Sequence, residues 1–359
     1  MATFDVLLPV KNGIDYLAEA VDSILAQTFP DWRLLLLDHG STDGSFELAQ
    51  AYAQRDARIE VYYLPSAVGL SGLLNEGLAR CDCRYVLRQD ADDISMPERM
   101  AVLAEAYAAE RELAVIGSLG DVIDGQGRRI GTIDMPTGRH GLAAAALFRT
   151  PMCHPAASMR LDALDRLGAR YGEDFMHALP NGQRLQVPGL AEDYFMFGQL
   201  ALLARCRNLE CRLIRYRWHG SNVGATRYLE QMGVALNISR HLAASLAAMH
   251  GATGIDPAPF CTHGEALFDI VGRDDFSADH RQLSLLLRKH IGDGPALQRE
   301  LAFRRVLAVR RNWPLLPRFL SFAVRHGAGQ MERRAVKSWL LRRVQRRPVL
   351  TLPASVQPV

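Results

Sequence analysis

Short apolar runs alternate with amphipathic stretches through the first quarter of the chain. Phe4–Val10 (FDVLLPV) is an apolar run closed by Pro9 and is expected to be a buried strand. Ile14, Leu17, Ala18, Val21, Ile24 and Leu25 then recur at helical spacing, one face of an amphipathic helix that ends near Thr28-Phe29-Pro30. Arg33–Asp38 (RLLLLD) reads as a second buried strand and residues 40–44 (GSTDG) as a turn. Ser45 is placed to cap a helix running to about Gln54, and Ile59–Leu64 is a third strand. A helix over Gly72–Ala79 and a strand over Arg84–Arg88 follow, and the acidic cluster Asp90–Asp93 comes directly after that strand.

Strand–helix–strand units of this length predict an α/β fold with a mostly parallel sheet flanked by helices. Ligands on such sheets bind beyond the carboxyl ends of the strands, where both Asp38 and Asp90–Asp93 fall. A helix is expected from Pro97 to about Arg111, a strand over Leu113–Gly117 and a hairpin or loop over 120–140. Helical patterning returns at Leu161–Leu167 and Asp193–Ala204, and Arg212–Trp218 looks extended. Beyond about 225 the strand signals stop, and Tyr228–Met249 and Gln298–Arg311 read as helices. The expected division is therefore an α/β domain over 1–223 and an α-helical region over 224–359.

Composition narrows the class. At 359 residues with 48% hydrophobic and 23% charged positions, the chain has ordinary globular usage and length enough for a large core. Six cysteines are too sparse for a secreted disulfide framework, and their spacing lacks the doubled pairs of a structural zinc site. The start shows no signal-peptide pattern and no run reaches the roughly 18 apolar residues of a bilayer span, so a cytoplasmic protein, soluble or held at a surface, is expected. The net charge of +3 hides an asymmetry: residues 281–359 carry 17 Lys and Arg against three acids, while 1–280 carry a net −11. A basic tail with its own partner follows from that split.

Three carboxylates in the four residues Asp90-Ala91-Asp92-Asp93 repel one another unless something positive sits among them. Hard oxygen donors suit Mg²⁺ or Mn²⁺ with substrate phosphates, although an acidic cap for the helix near Pro97 would use the same residues. The turn from Asp38 to Gly44 lets a ligand approach the backbone and offers an acid to a base or ribose, or is simply a strand-to-helix turn. No G-x-G-x-x-G or G-x-x-x-x-G-K-[ST] occurs, which disfavours a dinucleotide fold or a P-loop. Glu192-Asp193 opens a helical stretch, as a first-turn acid pair or as the source of a general base. Arg215–His219 offers cations for a diphosphate and an imidazole for metal or proton transfer, or else a solvated basic face.

In this order and spacing the pieces resemble the family 2 glycosyltransferases, nucleotide-sugar enzymes of the GT-A fold. The resemblance is carried by Leu7-Leu8-Pro9-Val10-Lys11-Asn12-Gly13, Ser23-Ile24-Leu25-Ala26-Gln27-Thr28-Phe29 and Leu37-Asp38-His39-Gly40-Ser41-Thr42-Asp43. Gly69-Leu70-Ser71, Leu74-Asn75-Glu76-Gly77 and above all Arg88-Gln89-Asp90-Ala91-Asp92-Asp93-Ile94-Ser95-Met96-Pro97-Glu98-Arg99 extend it. His154-Pro155-Ala156-Ala157-Ser158-Met159-Arg160, Ala191-Glu192-Asp193-Tyr194 and Tyr216-Arg217-Trp218-His219 complete it, over roughly residues 1–222. The resemblance implies a nucleotide pocket at Pro9, Val10, Asn12, Asp38 and His39, with Arg88 and Asp90 beside the diphosphate. It implies Mn²⁺ or Mg²⁺ at Asp92 and Asp90, to which the imidazole of His219 is added as a candidate metal ligand, and Asp193 as the base that deprotonates the acceptor hydroxyl in an inverting displacement. His154, Glu192, Arg217 and Trp218 would neighbour the acceptor or the diphosphate. A UDP-sugar donor and a glycan or lipid-linked acceptor in surface polysaccharide or glycolipid synthesis are the implied substrates. Two positions depart from the family pattern: His39 stands where a second acid is usual, and Lys11 where an aromatic often stacks on the base.

In the tail, Val336, Trp339, Leu340 and Val344 fall on one helical face amid Arg333, Lys337, Arg342, Arg343, Arg346 and Arg347. A basic amphipathic helix of this kind predicts an anionic membrane surface as partner through residues 298–347; packing against the acidic domain is the competing reading. Nucleic acid is not expected, since no stacking aromatics accompany the charge, and a homo-oligomer is left open. The function that competes with the enzyme is a catalytically silent nucleotide-binding module acting in an assembly through this tail.

Overall fold

In the computed structural model, residues 3–220, 222, 226–261, 275–308 and 312–345 are described. Strands β1 (Phe4–Val10), β2 (Trp32–Asp38), β3 (Ile59–Tyr63) and β4 (Tyr85–Arg88) lie parallel in the order β3-β2-β1-β4. They are joined by α1 (Ile14–Leu25), α2 (Ser45–Arg55) and α3 (Gly69–Leu78). Strand periodicity sorts their side chains between two cores. Val6, Leu8, Leu34 and Leu36 face α1 and the helix α4 (Arg99–Ala109) through Leu17, Val21, Met100 and Leu103. Leu7, Leu35 and Leu37 face the other side with Leu73 and Leu74 of α3. That second face is tight at Gly77, where an added Cβ would lie 2.6 Å from Leu37 Cδ1, so α3 settles against the sheet only because this residue has no side chain.

Past β4 the sheet becomes mixed. The remaining strands are β5 (Ile94–Ser95), β6 (Val115–Ile123), β7 (Arg129–Ile133), β8 (Ser158–Arg160) and β9 (Cys206–Arg217). The order continues β4-β8-β6-β9-β5, with β7 on β6 in the hairpin expected from 120–140. β8 is antiparallel to both neighbours and β5 to β9, while β6 and β9 run parallel. The helices α5 (Arg139–Ala146), α6 (Leu161–Leu167) and α7 (Glu192–Leu202) complete this part.

The helices that follow are α8 (Tyr228–Met249), α9 (Ser277–Ile291), α10 (Pro295–Leu307), α11 (Asn312–His326) and α12 (Gln330–Gln345). Leu242 and Leu246 of α8, Leu283 and Leu287 of α9, and Leu297 and Leu301 of α10 join the core that contains Leu7, α5 and α7. More than half of α10 is buried, Leu301 in the core of the α/β part and Phe303, Val306 and Leu307 against α11 and α12, so much of 298–308, the start of the segment expected at a membrane, is taken up by packing within the protein. α11 and α12 close a smaller core, in which Val336 and Leu340 pack with Leu315, Phe319 and Phe322. The apolar side of α12 read from the sequence as a lipid face is therefore turned inward at these two residues. Arg346 and Arg347 lie outside the described residues. No helix among the described residues is long and apolar enough to cross a membrane.

Candidate active site

The site residues gather where the parallel strands end. Asp38, the last residue of β2, is fully buried; its Oδ1 accepts from the backbone N–H groups of Gly40 and Ser41, both at 2.9 Å. Its Oδ2 is buried with no partner, a standing demand for a donor. The adjoining His39 donates its backbone N–H to Val10 at 2.9 Å, which ties β2 to β1. Its ring Nε2 lies 2.9 Å from the Ala67 carbonyl; a carbonyl only accepts, so Nε2 is the donor, and in the neutral ring Nδ1 is then an acceptor.

Asn12, with φ of 55°, accepts the Thr42 N–H on Oδ1 at 2.8 Å, while its own N–H donates to Ser41 Oγ. Gly13 and Ile14 donate to Ser45 Oγ and Asp43 Oδ2, both at 3.0 Å. The end of β1 is thus stapled to the start of α2. Asp43 and Ser45 act as clamps here, a role their sequence positions did not disclose beyond a helix cap.

Carboxylate oxygens of Asp90, Asp92 and Asp93 lie within 4.8 Å of one another. Asp93 is buried and accepts the Arg217 N–H on Oδ1 at 2.8 Å; its Oδ2 has no partner. Burial, and then the charges of Asp90 and Asp92, push the Asp93 carboxyl well above the usual range. Burial and Asp90 raise Asp92 in the same direction, against a hydrogen-bonded contact of 2.9 Å with His219 Nε2. Arg88, buried, pairs with Asp90 and donates to the Gln89 carbonyl. An orphaned buried oxygen, mutual repulsion and hard donors together fit a divalent cation such as Mg²⁺ or Mn²⁺. The loop is held from behind by Gln89, whose Nε2 donates to the Asp93 carbonyl at 2.7 Å and whose Oε1 accepts from Ser95 and the buried Arg99.

Arg217 sits differently from what the sequence led us to expect. Its buried guanidinium donates to the Asp92 carbonyl (2.9 Å), to Glu19 Oε2 (2.7 Å) and to the carbonyls of Asp124 and Gly125, and lies 4.5 Å from the Tyr16 ring centroid. Strand alternation gives a face but not a depth, so a residue read as facing a diphosphate is a brace behind the acid loop. Trp218, next along, is half exposed and bonded through its backbone to Ile123.

The other wall is the start of α7. Leu190 and Ala191, both in the left-handed region at φ 62° and 67°, turn the chain into the helix and present Glu192 and Asp193. Burial, then the Asp193 charge, push Glu192 up to about 8; burial pushes Asp193 up to about 6, with Asp90 adding to it. His154 lies 4.0 Å from Glu192 Oε1 and 3.2 Å from the Tyr171 hydroxyl, and burial together with Arg88 keeps its imidazole neutral. Asp193 also lines a cavity of about 360 Å³ with Arg149, Thr150, Tyr194, Tyr228 and Gln231, several of which sequence reasoning missed. The charges of Arg88 and Asp90 act on Asp193 as well as on Asp93, so the start of α7 lies in the neighbourhood of the acid loop.

Residues 5–168 match the family description "Glycosyl transferase family 2". Over 159 residues the chain is 33% identical to the putative glycosyltransferase EpsE of Bacillus subtilis, covering 44% of this chain and 56% of that protein, so it spans little more than half of that relative. Over 227 residues it is 26% identical to the O-antigen biosynthesis glycosyltransferase WbnJ of Escherichia coli, covering 60% of this chain and 80% of that one. Among solved structures, S. aureus TarS 1-349 in complex with UDP-GlcNAc superposes with a TM-score of 0.53 at 16% identity, over 91% of this chain and 93% of that one, a likeness of fold. Residues 5–168 are thus similar to glycosyl transferase family 2, and the architecture is that of a GT-A fold.

Proposed function

We propose that the protein is an inverting glycosyltransferase that moves a sugar from a nucleotide-sugar to a hydroxyl of a glycan or lipid-linked acceptor in surface polysaccharide or glycolipid synthesis. The observation that carries this reading is the nearness of two acidic groups: Asp90, Asp92 and Asp93 in one loop, and Asp193, pushed up to about 6, within reach of the Asp90 charge. On this reading Pro9, Val10 and Asn12 border the nucleotide. Asp38 Oδ2 and His39 Nδ1 accept from the base or ribose. Acceptors suit a ring N–H, which uracil, thymine and guanine carry on the pairing edge and cytosine and adenine lack, and a UDP-sugar is the donor we favour. UDP-GlcNAc is the ligand named for TarS.

Asp90 and Asp92 would hold Mg²⁺ or Mn²⁺, which when bound supplies positive charge for the leaving diphosphate. Arg88 adds its own cation there. Asp193 removes the acceptor's hydroxyl proton as that oxygen bonds to the anomeric carbon; the bond from this carbon to the diphosphate oxygen breaks, and the nucleoside diphosphate departs with the electron pair. His154 and Glu192, neutral at pH 7, keep a second negative charge away from that base.

Release of nucleotide from UDP-, GDP- and dTDP-sugars, measured with Mn²⁺, Mg²⁺ or EDTA, tests the reading. Slow hydrolysis of one donor that EDTA abolishes is expected. Neither turnover nor binding of any donor would instead favour the silent nucleotide-binding module.

An anionic membrane surface belongs to this proposal, carried by α11 and α12 without residues 298–308. Leu316, Leu320 and Val324, at four-residue spacing on α11, are 48%, 62% and 87% exposed, and Arg325, Arg333, Arg334 and Lys337 are exposed beside them. Each such cation contributes about 1 kcal/mol at an anionic leaflet. The protein is expected to float with phosphatidylglycerol vesicles, and the Leu320→Ser/Val324→Ser variant to lose most of that binding. Equal flotation of the two proteins would remove the apolar ridge from the interface.

A further inference from the structure

We infer that the cavity beside Asp193 is a binding site for an anionic group, phosphate or carboxylate, carried by the acceptor, and that Arg149 is the residue that reads it. The inference rests on the reading of Asp193 as the base, because it places the acceptor in that cavity. Three elements build the walls: the turn after α5 supplies Arg149 and Thr150, the start of α7 supplies Asp193 and Tyr194, and the first turns of α8 supply Tyr228 and Gln231. At about 360 Å³ the space falls within the range of small-molecule sites, about 300–1,000 Å³.

Arg149 is the unusual member. Its side chain is 11% exposed, yet its guanidinium makes no hydrogen bond among the described residues; its Nε, like those of Arg88, Arg99 and Arg160, is buried with no partner. The buried arginines Arg88, Arg99, Arg160, Arg217 and Arg304 each donate to two or more acceptors. The carboxylate nearest to Arg149 is Glu300, whose Oε2 stands 3.8 Å away, beyond hydrogen-bond reach. Glu300 is engaged through Oε1 by Arg304, at 2.8 Å from Nε and again from Nη2, and Arg304 also donates to the Phe260 carbonyl. Two buried cations thus share one carboxylate that is bonded to only one of them. Burial first, and the Arg304 charge among the smaller causes, works against the Arg149 charge. Arginine nevertheless stays protonated, so the cation remains and its donors remain unmet.

An anion would supply what is missing, and the guanidinium fork suits the paired oxygens of a phosphate or carboxylate. The other polar groups tell its position. The Thr150 hydroxyl donates to the Met152 carbonyl and Tyr194 to the Ala146 carbonyl, so neither is free to donate to a sugar nearby. Asp193 repels an anion at its own end of the cavity. The charged group therefore sits at the Arg149 end and the attacking hydroxyl at the Asp193 end. This orders an acceptor that carries both, such as a polyol phosphate, a sugar phosphate or a uronic acid.

The test is calorimetric titration of glycerol 3-phosphate, glucuronate and glycerol into the full chain, with saturating UDP and Mg²⁺ and at fixed ionic strength. One or both anions should bind and glycerol should not; which anion binds separates phosphate from carboxylate. Arg149→Gln should weaken that binding at least tenfold, and Arg149→Lys less. UDP affinity in the variants reports that they are folded. Asp193→Asn should retain anion binding while losing turnover, so retained turnover in that variant would overturn the base alone. Binding of neither anion, or equal binding by wild type and Arg149→Gln, overturns the anion site.

Discussion

Replacing Asp193 by Asn should lower turnover of the donor by a factor on the order of 10²–10⁴, the usual contribution of a positioned general base. The nucleotide should still bind, because Asp38, His39 and the acid loop, proposed to hold it, belong to other elements than α7. The pH profile gives the sharper readout. Burial raises the Asp193 carboxyl to about 6, so the basic form is present above that pH and is lost below it. The kcat/KM of the wild type should therefore rise through about pH 6, and the residual activity of the Asn variant should lack that limb. Glu192, raised to about 8, is protonated over the same interval and leaves the limb to Asp193. An Asn variant with wild-type turnover would remove Asp193 from the chemistry.

The Asp92→Asn variant should show the second large effect, and with a sign that separates function from structure. If Asp90 and Asp92 hold a divalent cation, the change should weaken metal-dependent UDP binding by more than the roughly 10–100-fold expected for His219→Ala, since His219 reaches Asp92 Oδ2 through a 2.9 Å contact. Thermal stability in EDTA should move the other way. Three carboxylates within 4.8 Å, two of them raised by burial and by one another, destabilise the empty protein, so removing one charge should hold or raise the melting temperature. An acidic helix cap predicts the reverse, a loss of stability with no change in metal dependence. Calorimetry across an Mn²⁺ series, set beside melting in EDTA, decides between them.

The first half of the fold was legible because β1 and β2 are buried on both faces and read as unbroken apolar runs, with helical spacing between them. The acid loop stood out for a similar reason, since charge density after a buried strand needs an explanation. The mixed half was harder. β8 is three residues long, too short to leave a pattern, yet it wedges between β4 and β6. The parallel pairing of β6 with β9 joins segments far apart in sequence, which no local periodicity reports. The cavity beside Asp193 draws a few residues from each of three elements, so no motif announced Arg149, Tyr228 or Gln231. In the tail, amphipathicity showed that α12 covers something apolar but not what; its partner is α11, and the exposed apolar stripe belongs to α11 as well.

Arg217 carries a consequence for the time at which the protein becomes competent. It braces the Asp92 carbonyl across 125 residues and reaches Glu19 across 198. During synthesis the strands β1 to β4 and the turn around Asp38 are complete once the first 88 residues have emerged. The acid loop, already made, must wait for β9 before it is clamped, roughly 6–25 s later at about 5–20 residues per second. On the proposed reading a nascent chain thus completes its nucleotide-base side well before its diphosphate end, and a truncation ahead of Cys206 leaves three crowded carboxylates without the Arg217 brace.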